Sequence, residues 1–399
     1  MTDGHQFTQE LRDTIDFSDA IQLLVGGFYS FDHYDHSQNF RIQFAAPGFR
    51  QLSTQDQDRE SMSIFAQTYI DLTDRLRLQV GVRGTHEETE MIGTVANFIS
   101  PTGEAVFQGD IPIPGGFVVK GDESWDNVGG KLGLDFQVND DVMLYGYYAR
   151  GFKSGGFTGR APIVPSDIGP YDPEYVDSYE VGIKADWFDN RLRTNLAGFF
   201  NDYQDLQLSQ IYFTEDANGN VVNGNTIVNA ATAETKGFEL EVIFVPVDAF
   251  EIDLAVGYLD ATYKDFPYSD PNQGGALIDM AGEKLQNAPE WTATGGIRYD
   301  FGIGDGNVSL GVRGRYTDEK FVGNLTNSPR SQIQSTTFVD ANIDWTPTAD
   351  GNLSLSLWAR NLGDKRYIAN VFDGVGVLGL INYDAPREYG ITVRYGWGH

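Results

Sequence analysis

Apolar and polar residues alternate with a period of two along most of this chain, and this pattern restricts its fold more than any other feature. Between residues 75 and 83 every aliphatic side chain falls on one face, and the polar and charged side chains fall on the other. The same alternation recurs at residues 250–258 and 389–397. Successive side chains of an extended strand point to opposite faces of a sheet. Because no segment of ten or more residues shows a helical period, the sequence predicts an all-β protein.

The connections between these segments alternate strictly between short and long. The short ones are rich in Asp, Asn and Gly, which favour tight hairpin turns, and lie at residues 71–74, 139–141, 189–190, 246–248, 304–306 and 348–351. The long ones are predicted as loops at residues 33–59, 89–121, 154–174, 208–230, 265–287, 322–335 and 362–384. Short turns at one end and long loops at the other are typical of a transmembrane β-barrel.

The predicted strands form an antiparallel meander of about 15 members. A first strand near residues 5–12 is followed by seven pairs: 20–32 with 60–71, 75–88 with 123–138, 142–153 with 175–188, 191–207 with 232–246, 250–264 with 288–302, 308–321 with 336–347, and 352–361 with 386–397. A soluble β protein with an inward apolar face is the alternative fold. The polar faces favour a water-filled lumen instead, because they carry Gly, Ser, Thr, Asn and both signs of charge.

Aromatic residues crowd the predicted strand ends, as the interfacial girdles of a membrane barrel require. They are Tyr145, Tyr147, Tyr148, Phe199, Phe200, Tyr395 and Trp397. This distribution favours the membrane barrel over the soluble fold.

The charge and the cysteine count exclude several classes of function. The chain of 399 residues has 28 Lys and Arg against 57 Asp and Glu, a net charge of −29, and no cysteine. Nucleic-acid binding begins with a basic surface, so no nucleic-acid partner is expected. Disulfides, thiol nucleophiles and cysteine-ligated metals are excluded. No Ser–His–Asp arrangement, paired-carboxylate signature or phosphate loop stands out, so we expect neither an enzyme nor a cofactor.

Two groups of residues are candidates for a site. His33 and His36, in the sequence His-Tyr-Asp-His, offer ligands for a transition metal, although a solvated loop with two incidental histidines is the favoured explanation. Charged residues on the polar strand faces line either a permeation path or a wall of ion pairs between strands: Arg83, Lys131, Lys184, Arg193, Lys236, Glu239, Glu241, Asp253, Arg298, Arg313, Arg315, Asp340 and Arg394. The residues that bind a nutrient ligand are not predicted.

The amino-acid sequences of several segments resemble those in the barrel of a TonB-dependent outer-membrane receptor. The segments are Tyr-Tyr-Ala-Arg-Gly-Phe-Lys-Ser-Gly-Gly-Phe at residues 147–157, Ser-Tyr-Glu-Val-Gly-Ile-Lys at 178–184, Lys-Gly-Phe-Glu-Leu-Glu at 236–241, Asn-Ala-Pro-Glu-Trp at 287–291, Asn-Leu-Gly-Asp-Lys-Arg-Tyr at 361–367 and Pro-Arg-Glu-Tyr-Gly at 386–390. Their order and spacing cover nearly the whole chain.

The resemblance implies a receptor in the outer membrane of a Gram-negative bacterium that imports a scarce nutrient, most often a ferric siderophore or similar iron chelate. Its partners would be the TonB system, acting through an N-terminal plug, the chelate, and the lipid and lipopolysaccharide of the membrane. Long loops would be extracellular, and short turns and the C-terminus periplasmic.

Residues 1–399 are expected to be a partial barrel domain, roughly strands 8 to 22 of a barrel of about 22, with no plug, TonB box or signal peptide. An odd number of strands cannot close in a fully antiparallel way, so two open edges are expected. Two alternatives stay open. One is a passive diffusion channel of about 14 strands that leaves the first strand outside, and the other is a structural or adhesive barrel.

Overall fold

The computed structural model describes residues 2–41, 49–99, 111–159, 162–215, 221–270, 276–322, 328–348, 351–373 and 379–397. Its strands are β1 (Thr2–Ser18), β2 (Ile21–Arg41), β3 (Phe49–Thr73), β4 (Leu76–Ile99), β5 (Ile111–Asn139), β6 (Val142–Lys153), β7 (Glu174–Trp187), β8 (Leu192–Glu215), β9 (Val221–Val247), β10 (Phe250–Asp265), β11 (Pro267–Asp270), β12 (Ala276–Asp279), β13 (Trp291–Ile303), β14 (Gly306–Thr317), β15 (Lys320–Phe321), β16 (Gln332–Ile333), β17 (Thr336–Thr346), β18 (Leu353–Arg360), β19 (Ile368–Asp373), β20 (Gly379–Tyr383) and β21 (Glu388–Tyr395). One short 3-10 turn lies at Pro165–Asp167. None of the helical residues described is part of a segment long and apolar enough to cross a membrane.

Fifteen of these strands form one antiparallel sheet, in the order β1-β2-β3-β4-β5-β6-β7-β8-β9-β10-β13-β14-β17-β18-β21. The remaining six form three separate hairpins, β11 with β12, β15 with β16, and β19 with β20. The predicted all-β meander of about 15 strands is therefore confirmed. Among the described residues, β1 pairs only with β2 and β21 only with β18, so the sheet has two open edges and is not closed into a barrel.

The tight turns lie where the Asp, Asn and Gly residues predict them. Asp140 and Asp141 connect β5 to β6. In the turn between β7 and β8, Asp189 and Asn190 adopt positive φ values of 54° and 64°. Short polar side chains of this kind tolerate the left-handed region better than most residues do.

Three of the predicted long loops are wrong for most of their length, because strands continue through them. β2 pairs with β3 as far as Arg41 opposite Arg50. In the same way β4 and β5 are paired out to Ile99 opposite Ile111, and β8 and β9 out to Glu215 opposite Val221. The backbone hydrogen bonds that hold a hairpin do not depend on apolar side chains. In these extensions apolar and polar residues no longer alternate regularly, as in Met91 and Ile92 of β4, although the pairing continues.

The two faces of the main sheet differ sharply in character. On β4, Val80 and Val82 are 41% and 53% exposed on one face, whereas Thr85 and Thr89 are 7% and 1% exposed on the other. We refer to these as the apolar face and the polar face. Aromatic rings contact one another in two belts on the apolar face. The first belt contains Tyr148, Tyr179, Phe200, Phe238, Tyr258 and Trp291, and the second contains Phe250, Tyr299, Phe301, Tyr395 and Trp397.

The predicted girdle is thus confirmed at Tyr148 and Phe200 but wrong at Phe199, which lies opposite Glu180 on the polar face. It is also wrong at Tyr145 and Tyr147. Both of these hydroxyl groups donate hydrogen bonds to Glu180, at 2.8 and 2.9 Å, on the polar face. Adjacent residues of one strand point to opposite faces, so an aromatic cluster in the sequence is divided between the two sides.

Buried apolar clusters form where connections fold onto the polar face. Met91 of β4 packs with Phe157 and Ile168 from the connection between β6 and β7. A second cluster joins the hairpin β11–β12 to β9 and β10, through Ala231, Ala233, Tyr263, Phe266, Tyr268 and Met280. These two clusters cover part of the polar face at the end of the sheet where the long connections lie.

Candidate ligand-binding face

The connection between β6 and β7 crosses the polar face from β3 to β9. On β3, Gln51 Nε2 donates a hydrogen bond of 3.0 Å to the carbonyl oxygen of Pro162, and Ser53 Oγ donates one of 3.3 Å to that of Gly159. At the other end, Asn229 of β9 accepts a bond from Asp172 N and donates one to Asp172 O, at 2.8 and 2.7 Å. Strands β4 to β8 lie between these two anchor points. The connection therefore forms a bridge over the polar face.

Beside this bridge, a guanidinium group and two phenols face the same space. Arg59 Nη2 lies 3.2 Å from Asp32 Oδ2, its cross-strand neighbour on β2. The Tyr34 hydroxyl donates a 3.0 Å hydrogen bond to Gln57 Oε1. Burial raises the pKa of Tyr34 and of Tyr171, and the charge of Arg59 opposes the rise for both. Both phenols are therefore neutral hydrogen-bond donors at physiological pH, close to a permanent positive charge.

Further along the polar face, four of the charged residues singled out in the sequence lie in ion pairs. Arg193 Nε lies 2.7 Å from Asp186, Arg313 Nη2 lies 2.7 Å from Asp253, and Arg298 Nε lies 3.0 Å from Asp300. The first two pairs join different strands and agree with the predicted wall of ion pairs between strands, whereas Arg298 and Asp300 lie on the same strand, β13. A recess of about 550 Å³ lies among Asp253, Arg298 and Arg313.

Lys236 does not belong to this wall, and its predicted place on a polar face is wrong. It lies on the same face as Phe238, two residues further along β9, and its Nζ is 3.2 Å from Asp260 Oδ2 of β10. The separation of two residues fixes this placement.

The structure does not bring His33 and His36 together. They are three residues apart on β2, so their side chains leave opposite faces of the sheet. His33 Nδ1 lies 2.7 Å from Asp58 Oδ1, its cross-strand neighbour on β3. His36 Nδ1 lies 3.0 Å from the Thr2 hydroxyl oxygen of β1. His33 also meets Asp35 and Asp56, and these three residues form a group able to hold a metal ion.

Sequence reasoning missed Arg59, Tyr34 and Tyr171 as neighbours. Arg59 and Tyr34 lie within a segment that was predicted to be a loop, and Tyr171 lies in a different connection. Only the strand register and the course of the bridge bring them together, and no motif spans them. The opposite charges of Asp32 and Arg59 indicate how β2 and β3 pair. This indication can be used only if β2 is predicted to continue beyond its apolar part.

A family comparison covers nearly the whole chain. The sequence model described as "TonB dependent receptor-like, beta-barrel" matches residues 2–362. Among curated proteins, the probable TonB-dependent siderophore receptor PiuA of Acinetobacter baumannii is 24% identical over 360 residues, which are 87% of this chain and 43% of that protein. The pesticin receptor of Yersinia enterocolitica is 27% identical over 342 residues, 84% of this chain and 43% of that receptor.

Solved structures share the fold. The ferric yersiniabactin uptake receptor FyuA from Yersinia pestis superimposes with a TM-score of 0.76 at 19% identity, over 99% of this chain and 54% of that one. The siderophore receptor PiuA from Acinetobacter baumannii gives a TM-score of 0.62 at 17% identity, over 99% and 64%. The chain therefore spans about half the length of the proteins that it matches.

Proposed function

This chain belongs to the TonB dependent receptor-like β-barrel family, and on that basis we propose that it forms part of the barrel wall of an importer for a ferric siderophore or a similar iron chelate. The family resemblance of the sequence motifs is confirmed by the match over residues 2–362. Members of this family are transporters rather than enzymes, in agreement with the prediction from the sequence, and they reside in the outer membrane of Gram-negative bacteria. The matched proteins named as siderophore, ferric-pyoverdine and ferric yersiniabactin receptors support iron chelates as the substrate class.

The group formed by Arg59, Tyr34 and Tyr171 is the observation that carries this proposal. Ferric chelates present anionic oxygen atoms around the metal. A guanidinium group donates charge-assisted hydrogen bonds to such oxygens, and neutral phenols add further donors and flat apolar surface. The group lies on the polar face beside the bridge, at the end where a ligand would arrive first if the long connections face the cell exterior.

The same proposal gives the other parts of the molecule a location and a role. Residues 1–399 form a partial barrel domain. The long connections face the cell exterior, and the short turns and residue 397 face the periplasm. The apolar face contacts lipid and lipopolysaccharide, and the TonB system drives transport through a plug that this polar face surrounds.

A passive channel of about 14 strands requires the first strand to lie outside the wall. The structure instead keeps β1 paired with β2 from Thr2 opposite His36 to Ser18 opposite Ile21. This pairing gives the channel no support, so active import of a chelate is the function that we propose.

Ligand binding tests the proposal directly. The whole receptor, purified in detergent, is titrated with a ferric catecholate, a ferric hydroxamate and ferric citrate while its tryptophan fluorescence is recorded. We expect saturable quenching by at least one ferric chelate and none by the same chelator without iron. The absence of saturable quenching by all three classes would contradict the proposed substrate class.

A further inference from the structure

A second donor-rich cluster lies on the apolar side of the sheet, beyond the aromatic belts, at the paired ends of β1, β2 and β3. His33 Nδ1 is 2.7 Å from Asp58 Oδ1 and 3.9 Å from Asp56 Oδ1, and His33 Nε2 is 3.7 Å from Asp35 Oδ2. The ring of His5 on β1 lies beside that of His33, with 5.0 Å between the ring centroids. Two imidazoles and three carboxylates thus converge within one patch.

Strand register, rather than sequence proximity, assembles this cluster. His5 lies opposite His33 across β1 and β2, and His33 lies opposite Asp58 across β2 and β3. Asp35 lies opposite Asp56 in the same way. Directly opposed residues of neighbouring antiparallel strands share a face, so all five side chains leave the sheet on the same side.

The contact with Asp58 prepares His33 to bind a metal. When Asp58 accepts the hydrogen bond of His33 Nδ1–H, the lone pair of the imidazole lies on Nε2, the nitrogen nearer to Asp35. A carboxylate that fixes the tautomer and orientation of a ligating histidine is a recurrent feature of protein metal sites. His33, Asp35 and Asp56 each offer a ligand atom, and these atoms lie within 4.8 Å of one another.

We propose that this cluster binds a first-row divalent cation of the Zn²⁺ type, with His33 Nε2, Asp35 and Asp56 as ligands and His5 as the neighbouring fourth donor. Mixed imidazole and carboxylate donors suit Zn²⁺ and its neighbours better than Mg²⁺ or Ca²⁺, which prefer oxygen alone. The site lies on the opposite face of the sheet from Arg59 and Tyr34, so it is separate from the proposed chelate site.

The consequence of binding is a cross-link over three strands. His5 lies on β1, His33 on β2 and Asp56 on β3. A cation shared by His5, on β1, and by His33 and Asp56, on the next two strands, would fasten this end of β1 to its neighbours.

A comparison group on the same face lacks the imidazole. Glu88, Glu90 and Asp122 of β4 and β5 also place ligand atoms within 4.8 Å, but all three are exposed carboxylates. His86 of β4 is an exposed histidine on that face, paired with Asp126 at 2.8 Å. These residues provide matched controls.

The test is Co²⁺ and Zn²⁺ binding by the whole receptor, purified in detergent and stripped of metal. We expect one equivalent of Co²⁺ that produces a visible absorption band and is displaced by Zn²⁺. His33→Ala and His5→Ala should each weaken binding at least about tenfold, and His86→Ala and Glu88→Gln should leave it unchanged. If His33→Ala does not fold, Asp58→Asn replaces it, and about tenfold weaker binding is again expected.

Three results would overturn the site. The first is no binding of either metal by the native protein. The second is binding that His33→Ala, or Asp58→Asn in its place, leaves unchanged, and the third is an equal loss in His86→Ala. Because the titration with ferric chelates reports on the other face, either proposal can fail while the other stands.

Discussion

Adjacent residues of one strand meet opposite environments in this sheet, and Leu357 and Ser356 of β18 are a clear pair. Leu357 is 50% exposed on the apolar face, whereas Ser356 lies on the polar face opposite Asp344 of β17. In a membrane barrel, Arg near the bilayer midplane on the lipid face costs about 2–4 kcal/mol. We expect this loss of unfolding free energy for Leu357→Arg and little change for Ser356→Arg, because the new guanidinium meets a carboxylate.

Equilibrium unfolding by urea in lipid vesicles, followed by tryptophan fluorescence, measures both variants of β18. Equal losses of unfolding free energy at the two positions would mean that neither face contacts lipid, and the membrane barrel would then be wrong.

Arg59 is the residue on which chelate recognition depends most. Removing one partner from a hydrogen bond with a charged group costs about 1.5–3 kcal/mol, and 1.4 kcal/mol corresponds to a tenfold change in Kd. Arg59→Ala should therefore weaken the binding of the recognised ferric chelate at least about tenfold. The control is Arg77→Ala, since Arg77 is paired with Asp71 at 2.6 Å beside a short turn, far from the bridge. A titration in which both variants bind like the native receptor would remove Arg59 from the site.

For single residues, the sequence predicts the face of the sheet on which a side chain lies better than it predicts which residues that side chain contacts. Alternation places Val80 and Val82 on the apolar face without knowledge of the register. The contact between Arg59 and Asp32 can be predicted only from the strand register, and so can those of His33 with residues on β1 and β3. Lys236 is a second example. It lies on the apolar face because it is two residues from Phe238, although its charge suggests the polar face.

At the scale of elements, turn chemistry is the part of the fold that the sequence predicts well. Asp140, Asp141, Asp189 and Asn190 all lie in tight turns, and Asp189 and Asn190 adopt the positive φ values that short polar side chains tolerate. The extensions of β2 and β3 are not predicted, because Gln51, Ser53, Gln55 and Gln57 on the polar face carry no apolar signal. These four residues are nevertheless buried, since the bridge covers them.

Phe266 packs the hairpin β11–β12 against β9 and β10. Phe266 is fully buried, with its ring centroid 5.0 Å from that of Tyr263 and 5.5 Å from that of Tyr268. Truncating such a residue costs about 3–5 kcal/mol. Phe266→Ala should release the hairpin without unfolding the main sheet, so limited proteolysis should cut within residues 266–287. Leu277→Ala, at a side chain that is 76% exposed, is the control, and equal resistance of both variants to protease would contradict this packing.

Alkaline pH should release the same hairpin. Burial raises the pKa of Tyr263 and of Tyr268 to about 12, and both lie beyond the aromatic belt at Tyr258. Because the pKa is higher in the folded state, the stabilisation is complete below about pH 10, the pKa of an unfolded tyrosine, and is lost as the pH rises through about 12. Tyrosinate absorbance and protease sensitivity should rise together in this range. Ordinary titration of every tyrosine in the native receptor would argue against the buried cluster.

At the scale of the whole molecule, the orientation of the sheet in the membrane follows from the two kinds of connection. The chain has no cysteine, so single cysteines can be introduced and labelled without interference. A membrane-impermeant maleimide added to intact cells should label Leu277→Cys in the hairpin β11–β12 and should not label Asp305→Cys in the short turn between β13 and β14. The reverse pattern would invert the orientation.

The number of strands, their antiparallel order and the family are all apparent from the sequence, because each depends on features that recur along the chain. Fifteen alternating segments can be counted, and six short motifs keep the order typical of the family. The bridge and the two buried clusters are not apparent, since they depend on how single connections fold back onto the polar face. Met91 and Phe157, for example, are far apart in sequence and share no pattern.

Uptake of iron-55 as the recognised ferric chelate is the most direct test of the central claim. Cells that lack their own receptors for the chelate and carry the whole receptor are assayed with and without a protonophore that removes the proton-motive force. We predict that the chelate accumulates above its external concentration only in energised cells and that Arg59→Ala lowers uptake at subsaturating chelate. Entry that only equilibrates the chelate and is insensitive to the protonophore would identify a passive channel and contradict the proposed function.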